Sequence, residues 1–410
     1  MVQSRVARAI KEAPMIVKPR IRGFICTTAH PLGCAESVDA QVRTVKAQGP
    51  LPQGPKRVLV LGCSAGYGLA SRISAAFGAG AETLGVSFEK SPTEGKTASA
   101  GYYCNRAFER AAAREGLWTQ TLEGDAFSDE LKAEVVEVLK DRGPVDLVVY
   151  SLASPVRQDP ETGTLWRSAI KPVGERFHVK TLNVDKGEVH EVDLEPATEE
   201  EIAATVKVMG GEDWERWMGA LDGAGLLAPG CQTVAYTYIG SELTWPIYWH
   251  ATLGKAKEDL DRAAAGLRQR LASKGGDARV AVLKAVVTQA SAAIPVVPLY
   301  ASLLFRVMKE QNLHETIIEH IWRLFETGLY GNQAGLDELG RLRLDDWELR
   351  DEVQSEVKRR WPEVTTENLS ELADLEEFRR AFLQVFGFAI PGVDYEQAVD
   401  PLTIEPVPAP

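Results

Sequence analysis

The sequence predicts an α/β fold in which a parallel sheet is wound by helices on both faces. Two observations carry this. Between Lys56 and Ser154 short apolar runs alternate with stretches of helical spacing, and strands joined by helical crossovers must lie parallel. The runs are apolar throughout rather than on alternate residues, RVLVL at Arg57 to Leu61 and VDLVVY at Val145 to Tyr150 among them. Strands covered on both sides read this way. A length of 410 residues gives a soft prior of two or three domains. No internal repeat or low-complexity linker divides the chain, so one elaborated unit is expected. Residues 1–55 would be an extension and a segment packed on the core. Residues 56–330 would be the sheet-bearing core with an insertion at 155–196, and residues 331–410 a helical part of the same unit.

The elements follow in order. After the first strand comes a glycine-rich turn, then helical spacing from Leu69 to Phe77. Thr83 to Phe88 and Trp118 to Leu122 read as further strands, with helices over Ala98 to Arg114 and Asp129 to Lys140. The regularity lapses between Pro155 and Pro196, where Thr181 to Asp193 alternates around Lys186-Gly187 as an inserted hairpin would. Helices are expected over Glu199 to Val208, opened by a Thr198–Glu201 capping box, and over Glu212 to Leu221. In the latter, Trp214 and Trp217 are read as packing residues. Gln232 to Ile239 and Val280 to Val287 are expected strands either side of a long helix, Lys255 to Ser273. From Tyr300 helices dominate, over Leu303 to Glu310, Glu315 to Thr327, Trp347 to Arg360 and Leu375 to Phe386. The proline-rich tail from Pro401 is expected to be extended.

Composition removes several function classes. Apolar residues are 45% and charged residues 25%, which excludes a disordered, collagen-like or coiled-coil chain. A net charge of −12 argues against general nucleic-acid binding. Five scattered cysteines without CxxC suit free thiols in a reducing cytoplasm better than disulfides or zinc. The six histidines share no ligand spacing, so no metal is expected. Met1 to Pro14 holds no signal-peptide run, and the apolar stretch Ala292 to Phe305, interrupted by Pro295 and Pro298, is too short to span a bilayer. No stable membrane insertion is expected.

Chemistry concentrates at two places. Gly62-Cys63-Ser64-Ala65-Gly66-Tyr67-Gly68 follows the first strand and opens a helix. Glycines there let backbone approach a diphosphate, and the helix start aims amides at it. The spacing is G-x-x-x-G-x-G, and the bland alternative is a tight connection. Glu89 closes the second strand, where a carboxylate can accept both hydroxyls of an adenosine ribose and repel a 2′-phosphate, or simply be a solvated acid beside Lys90. Asp125 and Ala126 follow the third strand, and Leu152 and Ala153 the fourth, at the edge where such sheets bind ligands. The second place is Tyr248 with Lys257, a Y-x8-K pair at the head of a long helix. A phenol becomes a useful proton donor when a nearby ammonium stabilises its phenolate.

The glycine turn, Phe88-Glu89, YSLASP from Tyr150, YTYIGSE from Tyr236, the Y-x8-K pair and VVTQASAAIPVVPLY from Val286 to Tyr300 together resemble a known family. The chain is similar to the FabV-type enoyl-[acyl-carrier-protein] reductases and trans-2-enoyl-CoA reductases, large relatives of the short-chain dehydrogenases. The likeness runs from about Met15 to beyond Tyr330, leaving Met1 to Pro14 as an extension. It implies a Rossmann-type reductase that uses NADH to reduce enoyl-CoA or enoyl-acyl-carrier-protein thioesters in cytoplasmic fatty acid biosynthesis, acting as a monomer. Tyr248 would be the proton donor, Lys257 would bind cofactor and assist it, and Tyr238 would meet the substrate near its thioester carbonyl. Gly62, Cys63, Ser64, Ala65, Gly66, Tyr67, Phe88, Glu89, Asp125, Ala126, Leu152, Ala153, Lys257, Val286, Val287 and Thr288 would line the NADH site. Ala292 to Phe305 would wall the acyl chain or simply pack. Ala65, Ser241 and Trp249 depart from the family pattern, standing where threonine, proline and arginine are common. A carbonyl reductase of the same fold and a non-catalytic dinucleotide-sensing scaffold are the alternatives.

Overall fold

The computed structural model describes residues 14–93, 95–331 and 335–405. A small antiparallel hairpin, β1 (Ile21–Arg22) and β2 (Ile25–Cys26), leads into α1 (Pro31–Gln48). Sequence reading assigned no helix here. Its start is well specified nonetheless: Pro31 spends no needed amide at the first position, and His30 Nδ1 accepts the Gly33 amide at 3.1 Å.

The expected alternation then appears as β3 (Arg57–Leu61), α2 (Gly66–Ile73), β4 (Glu82–Ser87), α3 (Ala100–Arg114), β5 (Thr119–Glu123), α4 (Asp129–Arg142) and β6 (Val145–Tyr150). Helix α2 starts earlier than its apolar spacing suggests and passes into a π-helical turn, Ser74–Gly78, where a side chain on Gly78 would press into the Trp322 ring at 2.4 Å. The insertion carries β7 (Val156–Gln158) paired with β8 (Leu165–Arg167), and the expected hairpin, β9 (Phe177–Asn183) with β10 (Glu188–Leu194), whose turn uses Gly187 at φ +71°. Helices α5 (Glu199–Met209) and α6 (Glu212–Gly223) follow. The Thr198–Glu201 capping box is formed in both directions.

The sheet resumes with β11 (Leu227–Thr237), α7 (Thr252–Ala272) and β12 (Asp277–Val282). Strand β11 begins before the expected Gln232, with a register shift between Leu227 and Gln232 across Pro229 and Gly230. Strand β12 ends at Val282 rather than Val287. Past that point the chain overruns the sheet's carboxyl edge: Leu283 still donates to Thr237 O at 2.9 Å, but the Ala285 amide turns to a side chain, Glu348. The last third holds α8 (Gln289–Ala292), α9 (Val297–Glu310), α10 (Ile317–Arg323) continued by a π-helical turn, β13 (Leu342–Arg343), α11 (Asp351–Glu363), α12 (Leu369–Leu372) and α13 (Leu375–Val385). Residues 401–405 form turns rather than the expected extended tail, and the Tyr103 hydroxyl donates to Pro401 O at 2.7 Å. The N-terminal extension, apart from Pro14, and residues 406–410 lie outside the described residues.

Seven strands form one parallel sheet in the order β13-β12-β11-β6-β3-β4-β5. The order reverses between β3 and β6, and such a switch leaves a crevice at the strands' carboxyl ends. One face is covered by α1, α2, α3 and α10, the other by α4, α6 and α7. A third core joins hairpin β9–β10 to α9, α11 and α13. Val296 to Phe305 mostly belongs to that core, with Leu299, Tyr300, Leu303 and Leu304 at 0% exposure, so packing accounts for most of this apolar stretch.

Candidate active site

The turn after β3 is built for close approach. A Cβ on Gly62 would stand 2.2 Å from Ser151 O, and one on Gly68 1.9 Å from Gly62 O. Gly62 also sits at φ +84°, which only glycine adopts without strain. The amides of Gly62 and Cys63 both donate to Val86 O, at 2.9 and 3.1 Å, so they extend the sheet. The free donors come next. The amides of Ser64 and Ala65 have no acceptor among the described residues, and Gly66 and Tyr67 open α2, whose first amides lack helical partners. Ala65 occupies the N-cap without a side-chain cap, so the departure from threonine leaves this end open to a ligand. Thr288 faces the turn across the crevice, 3.8 Å from the position a Gly66 Cβ would take.

Glu89 lies two residues past β4, and it is tied into the turn rather than freely solvated. Its Oε1 accepts the Ser64 hydroxyl at 2.6 Å, and a Cβ on Gly101 would lie 2.1 Å from the same oxygen. The acid is thus held between the phosphate-type turn and the start of α3. Phe88 beside it is 81% exposed at the same edge. Asp125 is partly buried and Ala126 buried, Ala126 O accepting from Lys132 Nζ and Trp217 Nε1. Leu152 lines the wall against Gly62, and Ala153 is exposed. Cys63 is a core residue: its thiol is fully buried, donates to Asn105 and is pushed up to about 11 by desolvation. All five cysteines are buried and free.

Tyr248 ends a short 3-10 turn, Trp245–Ile247, before α7. It is partly exposed, its hydroxyl has no hydrogen-bond partner among the described residues, and burial raises its pKa. Lys257, in the second turn of α7, makes one long bond from Nζ to Tyr236 O at 3.5 Å. Burial lowers its pKa to about 8, offset in part by Asp261. The Tyr236 ring meets Tyr67 edge-on at 5.9 Å, and Tyr67 donates to Lys284 O at 2.6 Å. Tyr67 thereby joins the turn to the end of β12, and burial, then Glu348 and Tyr248, raise its pKa. Of the 286–288 group, Val287 is buried, and Thr288 caps α8. Trp249, which stands where an arginine is common, carries Arg341 over its ring at 5.3 Å, so a cation is still present beside it.

The structure also brings in a group that sequence reading missed. Tyr238 packs edge-on to Tyr248 with ring centroids 5.0 Å apart, but its hydroxyl donates to Glu348 at 2.9 Å. Glu348 comes from between β13 and α11, 110 residues further along, and no local signal marks it. Of the histidines, His30 caps α1, His320 is buried against Glu315 and lies 6.1 Å from the Tyr67 ring, and His178 lies on the surface between Asp193 and Glu191. Among the described residues no group of three metal-ligating side chains occurs, and no helix is long and apolar enough to cross a membrane.

A parallel sheet with a glycine turn, open amides, an acid, a tyrosine and a lysine toward its carboxyl edge is an arrangement that would suit a nicotinamide-dependent reductase. Comparison with known proteins specifies which. A family model described as the trans-2-enoyl-CoA reductase catalytic region matches residues 96–330, and one for the NAD(P)H binding domain of the same enzymes matches residues 16–94. The chain belongs to the trans-2-enoyl-CoA reductase family. It is 58% identical over 391 residues to enoyl-[acyl-carrier-protein] reductase [NADH] 1 of Vibrio parahaemolyticus, covering 94% of this chain and 98% of that one. It is 56% identical to the FabV enzyme of Aeromonas salmonicida over 388 residues, with the same coverage. The trans-2-enoyl-CoA reductase of Treponema denticola, solved with NAD, superposes with a TM-score of 0.91 at 51% identity, over 94% of this chain and 98% of that one. The Clostridium acetobutulicum family member, solved with NADH, gives 0.92 at 42% identity, over 96% and 100%.

A third model, matching residues 336–399, is described as an enoyl reductase FAD binding domain. The residues there do not fit a flavin. Their one strand has two residues, and α11 and α13 close on α9 through Val353, Val357 and Phe378, each at most 1% exposed. A side chain on Gly387 would strike His30 O at 2.6 Å. The connection from β13 to α11, residues 344–350, has no glycine for close approach to a diphosphate and carries three acids, and no step is derived through a flavin.

Proposed function

We propose that the protein reduces the trans-2 double bond of enoyl thioesters with NADH. The observation that supports this is the unpartnered Tyr248 hydroxyl at the head of the helix that carries Lys257, an ammonium with one long bond, at the sheet edge that also holds the open amides and Glu89. NADH supplies the hydride that adds to the β-carbon of the substrate. The amides of Ser64 to Tyr67 and the start of α2 bind its diphosphate, and the second Glu89 oxygen accepts its ribose hydroxyls and disfavours a 2′-phosphate. Phe88, Asp125, Ala126, Leu152, Ala153 and the segment Val286 to Thr288 line the remainder. As hydride arrives, negative charge develops on the thioester oxygen. A Tyr248 hydroxyl aimed there stabilises it, and the Lys257 ammonium biases the phenol toward proton donation.

The substrate is an enoyl group on coenzyme A or on an acyl carrier protein, and the enzyme works as a cytoplasmic monomer of fatty acid synthesis. The test follows NADH oxidation by absorbance with crotonyl-CoA and, separately, a ketoacyl thioester. Oxidation with the enoyl substrate is expected. Turnover of the ketoacyl thioester alone would instead establish the carbonyl-reductase reading, and no turnover of any enoyl thioester by folded protein would overturn the proposal.

A further inference from the structure

Glu348 has no part in the reaction as described, yet it is the most enclosed acid near the crevice, at 0% exposure. Its Oε2 accepts the Ala285 amide at 2.6 Å, and its Oε1 faces the Tyr238 and Tyr300 hydroxyls, each at 2.9 Å. An amide only donates, so Oε2 is an acceptor in every state. Oε1 has two arrangements. An ionised Glu348 accepts a hydrogen bond from each phenol. A neutral Glu348 donates its own proton to one phenol and still accepts from the other. Tyr300 is fully buried and already accepts from Gln354 Nε2 at 3.1 Å, so its proton stays on Glu348. The proton of a neutral Glu348 therefore goes to Tyr238, whose own hydroxyl hydrogen is freed to turn to its other neighbours, Thr244 and the Tyr248 side where the two rings meet at 5.0 Å.

We propose, building on the enoyl-reductase reading, that Glu348 is a positioning residue that decides which way Tyr238 points its proton and, when neutral, relays one through Tyr238 to the α-carbon. In that step the enolate electron pair forms the new Cα–H bond as the Tyr238 O–H bond breaks. The Glu348 O–H bond breaks as the Tyr238 O–H bond re-forms. The carboxylate left behind recovers its proton from water through Tyr238 after product leaves. Burial favours the neutral acid and raises the Glu348 pKa, while the bonds from Ala285, Tyr238 and Tyr300 oppose this. The other ionisable groups acting on this pair are Asp345 on the same loop, Lys284 at the end of β12 and Tyr67 of α2.

The test joins infrared spectroscopy of the substrate-free protein to kinetics with crotonyl-CoA. A protonated-carboxyl band should vanish on raising the pH, be absent in Glu348→Gln, and persist to higher pH in Tyr238→Phe, which removes a donor to the carboxylate. Wild-type kcat should fall through two ionisations. Glu348→Gln, whose amide donates to Tyr238 at every pH, should keep only the Lys257 limb near about 8. A Glu348→Gln profile of unchanged shape would reduce Glu348 to a structural acceptor and overturn the relay. So would an infrared midpoint that Tyr238→Phe leaves in place, which decides the matter if Glu348→Gln does not fold. Absence of enoyl turnover by wild type would sink the reductase reading, and the infrared arm would still judge the coupling.

Discussion

Lys257→Met should make the protein more stable and nearly inactive. Burial brings this ammonium from the ordinary 10.5 to about 8. At 1.36 kcal/mol per pH unit, keeping it charged at pH 7 costs the fold about 3 kcal/mol. Its single long bond to Tyr236 O recovers little of this. Methionine fills similar volume without the charge, so in the absence of nucleotide it should recover up to about 3 kcal/mol, read as a rise in Tm of roughly 3–4 °C for a chain this size. The pH dependence carries a definite sign. The folded-state pKa lies below the unfolded one, so the cost is fully present below about 8. Wild-type stability should climb as pH rises from there toward 10.5, where the unfolded chain binds the extra proton, and the advantage of the variant should shrink in step. Activity should move the other way, with kcat/KM down about 10²-fold or more as the phenol loses its ammonium. Scanning calorimetry across pH, with NADH oxidation alongside, measures both. A variant destabilised by more than about 1 kcal/mol, or one of full activity, would refute the reasoning.

Three other outcomes follow from the same geometry. Tyr248→Phe should lower kcat by about 10²–10⁴-fold while leaving the Kd for NADH within about twofold, since its hydroxyl holds nothing in the fold; isothermal titration separates the two. Glu89→Ala removes a carboxylate held by Ser64, and should cut the NADH-over-NADPH preference by about 10-fold to 100-fold in kcat/KM. Gly68→Ala forces a methyl against Gly62 O at 1.9 Å, which only a shift of the α2 start can relieve. A loss of about 1–3 kcal/mol, seen as a lower Tm and weaker NADH binding, is expected, and unchanged NADH affinity would show that the turn does not cradle the diphosphate.

The C-terminal helices do more than cover the sheet. The connection between β13 and α11 brings the Glu348 carboxyl group to Tyr238, and α9 supplies Tyr300, which holds the same oxygen. The description of residues 336–399 as flavin-binding finds no counterpart in their packing, whereas their contact with Tyr238 is direct.

What the amino-acid order determines alone is what depends on near neighbours in the chain. Apolar runs such as RVLVL specify strands buried on both faces, and glycines at positions 62, 66 and 68 specify the turn. The Thr198–Glu201 box specifies a helix start, and Lys186-Gly187 a hairpin. Tyr248 and Lys257 stand out in the sequence by their spacing, and the structure puts the first just before α7 and the second within it. Tertiary structure decided what distant segments do to one another. It ended β12 at Val282, where the sheet edge gives way to Glu348, although the apolar run continues to Val287. It turned the cysteine of the glycine turn into core, and most of the apolar stretch before Phe305 into packing. It also committed the Tyr238 hydroxyl to an acid 110 residues away. A hydrogen bond to a buried carboxyl depends on which segments fold over the crevice, and neither spacing nor periodicity records that.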